Sequence, residues 1–382
     1  MTRAHRNRLW VLVCALLTCL FGSATAEDGK GFATSAKAAV LLERDTGKVL
    51  YASNADEPLP MASTTKVMTA LLALEHGGLD ELVTVGRNAF GVPGTSIYLS
   101  EGERLTLRDL LYGLMLASGN DAAVAIAEYI GGSVGAFAAM MTERARELGC
   151  ESTVFVNPNG LPVAGHHTTA RELALIAREA MKHELFREIV STQRASIPWE
   201  GRTYDRILTN KNRLLSEYDG ATGVKTGYTK AAGRCLVFGA KRDGLEVIGV
   251  VLNCGDWFEE AKRIMDFGFE RYERFTAYGA GETLRVLPVE NAREEVAYLC
   301  LQNELSAVVL KGELPSLEID LPDSLNGGLE QGAVVGEARL VLNEQTLAAS
   351  PIVVAENVAE RDYAFELDRA LQNWLPFHTI AN

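Results

Sequence analysis

Apolar residues change their spacing along this chain, and each change predicts a different element. Ala38 to Ala52 is nearly continuous apolar sequence broken by Asp45-Thr46-Gly47, the pattern of two strands joined by a tight turn. From Ser63 the period becomes helical: Val67, Met68, Leu71, Leu72 and Leu74 share a face, and Gly77-Gly78 stops the run. Leu107, Leu110, Leu111, Leu114 and Met115 make a second helix opened by Thr106. Ala122, Val124, Ile126, Ala127 and Ile130 make a third, with Asp121 as its expected cap and Gly131-Gly132 as its end. A capping box, Thr169-x-x-Glu172, precedes Leu173, Leu175, Ile176 and Met181. The helical block therefore runs from Ser63 to near Thr192.

Strands return between Ser196 and Cys254. Leu236-Val237-Phe238 and Val247-Ile248-Gly249-Val250-Val251 flank Arg242-Asp243-Gly244, which reads as a hairpin turn, while Asn210-x-Asn212 falls in a loop. A last helix of this region spans Trp257 to Tyr272. Sheet pieces on both sides of a helical block predict an α+β domain whose sheet is assembled from both ends. After Phe275 the runs become short and alternating (Leu284-Val286, Val296-Leu301, Ala307-Leu310, Leu317-Leu321, Val334-Leu342, Ile352-Val354) with Gly and Pro between them, the signature of a small all-β domain. In the tail, Tyr363, Leu367, Leu371, Trp374 and Leu375 fall on one helical face. The expected division is 1–26, 27–275, 276–358 and 359–382.

Three polar motifs sit on this framework in fixed order: Ser63-Thr64-Thr65-Lys66, Ser118-Gly119-Asn120 and Lys225-Thr226-Gly227. Each alone is weak, since a Ser-x-x-Lys arises by chance on the order of once in a chain this long, and a Lys-Thr-Gly in about a tenth of such chains. Their contexts are informative. Ser63 stands at a helix start, with Lys66 one turn later on the same face. A hydroxyl there gains from the positive end of the helix dipole, and a neutral lysine beside it can take its proton. Ser63 could serve only as an N-cap, but a cap needs no lysine three residues on. Ser118-Gly119-Asn120 is a tight loop between two helices, where Gly119 lets both polar side chains point one way. Lys225-Thr226-Gly227 continues into Tyr228 on a strand beside the hairpin, and a glycine in a strand often marks close approach of another backbone. A nucleophile with an amine base, a second hydroxyl with an amide, and a cationic strand together suit attack on a peptide or lactam carbonyl that has a carboxylate neighbour.

On these motifs, with Asn157-Pro158-Asn159-Gly160-Leu161 and the stretch from Asp219 to Thr229, the chain resembles the serine D-alanyl-D-alanine carboxypeptidases, the low-molecular-mass penicillin-binding proteins, from about Ala33 into the C-terminal region. Asn159 and Tyr228 depart from the histidines that some members carry. The resemblance implies a β-lactamase/transpeptidase-like domain, an antiparallel sheet with a helical block, followed by a small all-β domain and a C-terminal amphipathic helix. It implies that Ser63 attacks the penultimate D-Ala carbonyl, that Lys66 is its general base, and that Ser118 relays the proton to the leaving nitrogen. Asn120 would bind the substrate peptide, and Lys225 and Thr226 its terminal carboxylate. The backbone N–H groups of Ser63 and Tyr228, set by Gly227, would hold the oxyanion. Peptidoglycan stem peptides would be the substrates and β-lactam antibiotics the inhibitors. The C-terminal helix would contact the outer face of the cytoplasmic membrane, although Glu360, Asp362, Glu366 and Asp368 make it acidic, unlike a basic interfacial helix.

Composition narrows the setting. Arg3, Arg6 and Arg8 precede an apolar run from Leu9 to Phe21 and then Ala24-Thr25-Ala26, which reads as a secretory leader cleaved before Glu27. The expected location is an exported bacterial protein, in the periplasm or on the outer face of the cytoplasmic membrane. The formal charge of −13 disfavours nucleic acid as a partner. Cys150, Cys235, Cys254 and Cys300 lie past the leader and are too sparse for a disulfide framework; Cys235 and Cys254 flank the hairpin and could approach each other, but buried free thiols are the favoured reading. His166 and His167 are adjacent, would point apart, and suit a loop before a helix; neither a metal nor another cofactor is expected. Two other readings stay open. A β-lactamase would share the first two motifs but needs a Glu-x-x-x-Asn loop for its deacylating water, which is not evident. A peptidoglycan-binding scaffold would need no intact Ser63, Lys66, Asn120 and Lys225.

Overall fold

The computed structural model describes residues 32–374, so the leader with its cleavage site, and Leu375, lie outside the described residues, as does the side chain of Trp374. In chain order the first region comprises β1 (Ala38–Glu43), β2 (Val49–Ser53), a 3-10 turn (Ala62–Thr65), α1 (Lys66–His76), β3 (Leu82–Thr84), β4 (Arg104–Thr106), α2 (Leu107–Met115), α3 (Asn120–Gly131), α4 (Val134–Glu147), α5 (Ala170–Ala180), α6 (Glu184–Ser191), β5 (Arg194–Ile197), β6 (Arg206–Thr209), α7 (Leu214–Glu217), β7 (Ala221–Thr229), β8 (Gly233–Arg242), β9 (Leu245–Leu252) and α8 (Trp257–Arg271).

The main sheet has the antiparallel order β2-β1-β9-β8-β7, so both ends of the region do supply it. Its alternate residues feed two cores. Val40, Leu42, Val237 and Val250 pack towards the helical block, while Ala39, Leu41, Leu236 and Val251 pack towards α8. All of β9 is buried, which explains why its sequence reads as a continuous apolar run. The β8–β9 turn has positive φ at both Asp243 (48°) and Gly244 (81°), as the tight hairpin type requires.

Helix α1 is the axis of the helical block. Every residue from Lys66 to Ala73 is buried, a helix surrounded by α2, α3, α4, α5 and α6. Thr106 caps α2 by accepting from the Asp109 amide, as expected. Asp121 differs from its expected role. Gly119 occupies the cap position of α3, and the Asp121 carboxylate, in the first turn, accepts the amides of Ile97 and Leu99 instead. A cap of α3 would have satisfied one amide; this arrangement ties down a distant loop. The capping box is half formed: Thr169 accepts from Glu172, but the Glu172 side chain reaches Ser152 and Thr153.

The second region follows α8 without a linker: β10 (Tyr272–Tyr278), β11 (Thr283–Glu290), β12 (Val296–Leu301), β13 (Leu305–Leu310), β14 (Ser316–Asp320), β15 (Leu325–Asn326), β16 (Val334–Leu342) and β17 (Gln345–Val354). A six-stranded sheet, β14-β16-β17-β12-β11-β15, and the β10–β13 pair enclose a separate apolar core around Leu299, Leu305, Val309, Leu340 and Ile352. Helix α9 (Tyr363–Trp374) closes the description. The four cysteines past the leader are buried and unpaired.

Candidate active site

Ser63 lies in the 3-10 turn that winds into α1, and that turn is held in an unusual shape. Ala62 has φ +48°, a left-handed conformation that costs a residue with a Cβ about 1–2 kcal/mol. Its carbonyl accepts from the Thr65 hydroxyl at 2.8 Å, and that hydroxyl lies 2.8 Å from His166 Nε2. The Val156 amide donates to His166 Nδ1 at 3.0 Å, which leaves the ring proton on Nε2, directed at Thr65. Burial lowers the His166 pKa to about 4, so the ring stays neutral. Two glycines allow other segments of the chain to approach the same turn. A Cβ on Gly160 (φ +85°) would fall 1.8 Å from the Ala62 carbonyl oxygen, and one on Gly227 would fall 2.8 Å from the Ser63 nitrogen.

Lys66 is fully buried, and its Nζ lies 3.1 Å from Ser63 Oγ, 2.7 Å from Asn120 Oδ1 and 2.7 Å from the Asn159 carbonyl. The last two partners can only accept. They take two N–H bonds and leave the third direction, towards Ser63, for either a proton or a lone pair. Burial drives the Lys66 pKa well down, and the charges of Lys225 and Lys211 lower it further against the opposing pull of Asp121. The arrangement favours a neutral amine aimed at the serine hydroxyl.

Asn120 is clamped by segment 93–99. Its side-chain amide donates to the Pro93 carbonyl at 2.6 Å and its backbone amide to the Thr95 carbonyl at 2.7 Å. Ser118 adopts φ +63° and is buried, yet its Oγ has no hydrogen-bond partner. It makes no hydrogen bond to Ser63 or Lys66.

On β7, Lys225 is buried and, among the described residues, donates only to the Thr226 carbonyl at 3.1 Å. Burial first, then the Lys211 charge, lowers its pKa to about 7. Thr226 is nearly buried, and Tyr228 turns its ring outwards. Lys211 comes from the Asn210-x-Asn212 loop. Asn210 braces that loop against the carbonyls of Val190 and Thr192, and Lys211 Nζ reaches Thr95 Oγ1 at 3.4 Å. Among the described residues, no group of three or more His, Cys, Asp or Glu side chains is arranged to hold a metal ion.

The site thus unites Ser63, Lys66 and Asn120 by direct contact, sets Gly227 against the Ser63 amide, and brings the charge of Lys225 to bear on Lys66. Residues 23–255, more than half of the chain, match the D-alanyl-D-alanine carboxypeptidase family. The chain belongs to that family. Residues 272–360 match the C-terminal domain of penicillin-binding protein 5. The D-alanyl-D-alanine carboxypeptidase DacF of Bacillus subtilis is 35% identical over 95% of this chain and 96% of its own. DacC of Escherichia coli is 32% identical over 85% and 84%. Among solved structures, penicillin-binding protein 5 from Haemophilus influenzae superposes with a TM-score of 0.68 at 26% identity, covering 86% of this chain and 99% of that one. The Streptomyces K15 DD-transpeptidase gives 0.59 at 36% identity, over 62% and 98%.

Several interactions that shape this carboxypeptidase-family site lie outside the three polar motifs. The Asn159 carbonyl is a backbone atom, invisible to residue patterns. His166 read only as a loop residue, and its partner Thr65 lay inside the first motif. Lys211 had a signal, the two flanking asparagines, because such residues brace loops through backbone hydrogen bonds.

Proposed function

We propose that this chain removes the terminal D-Ala from peptidoglycan stem peptides through an acyl-enzyme on Ser63, and that penicillins acylate the same residue. Neutral Lys66 takes the Ser63 proton as Oγ bonds to the penultimate D-Ala carbonyl carbon. The oxyanion that forms is held by the backbone N–H groups of Ser63 and Tyr228, a contribution typically worth about 3–4 kcal/mol. The C–N bond then breaks, and the proton on Lys66 reaches the leaving nitrogen through the Ser118 hydroxyl, whose lack of a partner suits a relay completed by substrate. Asn120 hydrogen-bonds the peptide on the acyl side. Lys225 and Thr226 receive the terminal carboxylate, and Lys211 adds a second positive charge. Water hydrolyses the ester with Lys66 as its base, restoring Ser63 and releasing the shortened peptide.

The observation that carries this reading is the 3.1 Å contact between Ser63 Oγ and a buried lysine whose other two bonds go to acceptors. A β-lactamase is less well supported, because the hydrogen-bond partners of Ser63 and Lys66 include no carboxylate to activate a deacylating water. A scaffold with a dead site has no use for a buried, neutral-leaning lysine. We further infer export through the residue 1–26 leader to the outer side of the cytoplasmic membrane, with peripheral contact through α9, whose Tyr363, Leu367 and Leu371 are exposed on one face. D-Ala release from a peptide ending in D-Ala-D-Ala, measured with the wild type and Ser63→Ala, tests the activity. Release by the wild type alone is expected; equal release by both would refute it.

A further inference from the structure

Three aromatic residues stand together beside the cleft, and the catalytic steps above do not use them. Tyr98 has φ +62°, a left-handed conformation that strains a bulky residue, and is 73% exposed. The backbone there is held from several directions. Asp121 accepts the Ile97 and Leu99 amides, Ser96 Oγ accepts the Tyr98 amide at 2.8 Å, and the Tyr98 carbonyl accepts from Arg206 at 3.2 Å. Arg206 links this loop to the β5–β6 hairpin. Its guanidinium pairs with buried Glu103 at 2.7 Å and lies 4.7 Å from the centre of the Trp199 ring. Trp199 meets Tyr204 edge to face with ring centres 5.8 Å apart, and Tyr204 is 59% exposed. Glu200 fastens the hairpin tip by accepting the Arg104 amide at 2.8 Å. Tyr98, Trp199 and Tyr204 thus share one frame, built round a buried ion pair.

The groups around the rings indicate the ligand's chemistry. Arg202 lies 5.7 Å from the Trp199 ring centre, and residues 200–205 are all exposed, with Thr203 and Asp205 among them. Exposed rings set among hydroxyls and charges of both signs suit a saccharide. The CH groups on the face of a sugar ring meet the electron-rich face of an aromatic ring, while the hydroxyls and acetamides at its edge bond to polar neighbours. An anionic lipid surface would instead be repelled by Glu200 and Asp205.

This surface is continuous with the cleft through segment 93–99. Thr95 meets Lys211 at 3.4 Å, and Tyr98 follows three residues later, at most about 10 Å on. Lys211 stands at the terminal carboxylate in the proposed mechanism, so the rings lie beyond the carboxylate end of a bound stem. The sugar that carries a stem is attached at the opposite end of that peptide. A saccharide on these rings therefore belongs to a neighbouring strand.

We infer that Tyr98, Trp199 and Tyr204 form a binding surface for the glycan of peptidoglycan, and that it holds one strand while a stem of another is trimmed. The identity of the polymer rests on the carboxypeptidase reading; the saccharide chemistry rests on the rings and their polar neighbours.

The test titrates the full chain calorimetrically with peptide-free glycan strands, prepared by stripping the stems from peptidoglycan with an amidase. Saturable binding is expected. Tyr204→Ala and Tyr98→Gly should each weaken it about tenfold, while Tyr204→Phe, which keeps the ring, should retain it. Glycine suits the backbone at position 98, and the two variants lie on separate segments, so misfolding of one leaves the other as the test. No saturable binding by the wild type, or binding that neither variant weakens, overturns the surface. So does uptake of phosphatidylglycerol vesicles in place of the glycan, which would make the rings a membrane contact. Protein saturated with glycan should still release D-Ala from Nα,Nε-diacetyl-L-Lys-D-Ala-D-Ala with kcat/KM within about twofold of the free enzyme. Competition between glycan and peptide would overturn the neighbouring-strand placement. Glycan binding that depends on Tyr204, with no D-Ala release from the peptide, would support the surface and overturn the carboxypeptidase reading alone.

Discussion

Lys66 and Lys225 are two buried amines whose proposed roles demand opposite charge states, and their surroundings pull them apart. Lys66 must be neutral to accept the Ser63 proton, and burial together with the charges of Lys225 and Lys211 drives its pKa well down. Lys225 must be charged to hold a carboxylate, yet burial and Lys211 bring it to about 7. The pH profile of kcat/KM for D-Ala release should therefore be bell-shaped: it rises as Lys66 loses its proton and falls as Lys225 loses its own, above about 7. Lys211→Ala removes a repelling charge and should move the alkaline limb upwards while raising KM; a limb that stays or moves down would contradict the assignment. The same burial predicts a stability effect. Native Lys225 gives up its proton at a lower pH than the unfolded chain does, so the native state binds fewer protons between about 7 and 10.5, and stability rises with pH across that window. Lys225→Met should abolish carboxylate-dependent activity yet raise Tm at pH 6 by about 2–4 °C, with the gain shrinking towards pH 10. A lower Tm at pH 6 would show that the lysine is better accommodated than its single hydrogen bond indicates.

Among elements, the geometry of the site depends on how closely three backbones approach. The Ser63 turn, the 157–161 turn and β7 meet where Gly160 and Gly227 lack side chains, and the carbonyl of Asn159 reaches Lys66 only because Gly160 lies against Ala62. Gly160→Ala should lower the rate of acylation by a β-lactam about a hundredfold or more while leaving the circular-dichroism spectrum unchanged, since the lost contacts are local. Near-wild-type acylation would mean that this approach does not position the site. Residue patterns made α1, α2, α3, α5, the β8–β9 hairpin and the placement of Ser63 legible, because periodicity and turn chemistry are properties of contiguous sequence. They did not reveal segment 93–99, which has no periodicity and takes its place from Asp121, a residue that looked like a helix cap. Its two functions differ only in which amides are near, and distant amides leave no mark on local pattern. His166 stayed hidden for the same reason: its neutrality and its bond to Thr65 arise from burial.

For the whole molecule, the first region encloses the site between helices and sheet, and the second adds a separate core behind α8. Their contact includes Lys48 donating to the Val308 carbonyl and Arg274 pairing with Asp45. The alternating runs after Phe275 made the second region legible as all-β. Their order in the sheet was not, since β14 and β15 occupy opposite edges and only long-range pairing sets that. Helix α9 leaves Tyr363, Leu367 and Leu371 exposed on one face beside acidic residues, and a surface-bound helix of this charge draws its affinity from apolar burial alone. Full-length protein should partition into membrane fractions and a truncation before Asp362 should not, with little dependence on salt. Equal solubility of the two would remove the membrane contact.

The most direct test of the central claim is intact mass after incubation with penicillin, followed by peptide mapping. One covalent adduct, of the mass of the opened lactam and located on Ser63, is the predicted result. An adduct on another residue, or none, would contradict the assignment of Ser63 as a nucleophile activated by Lys66.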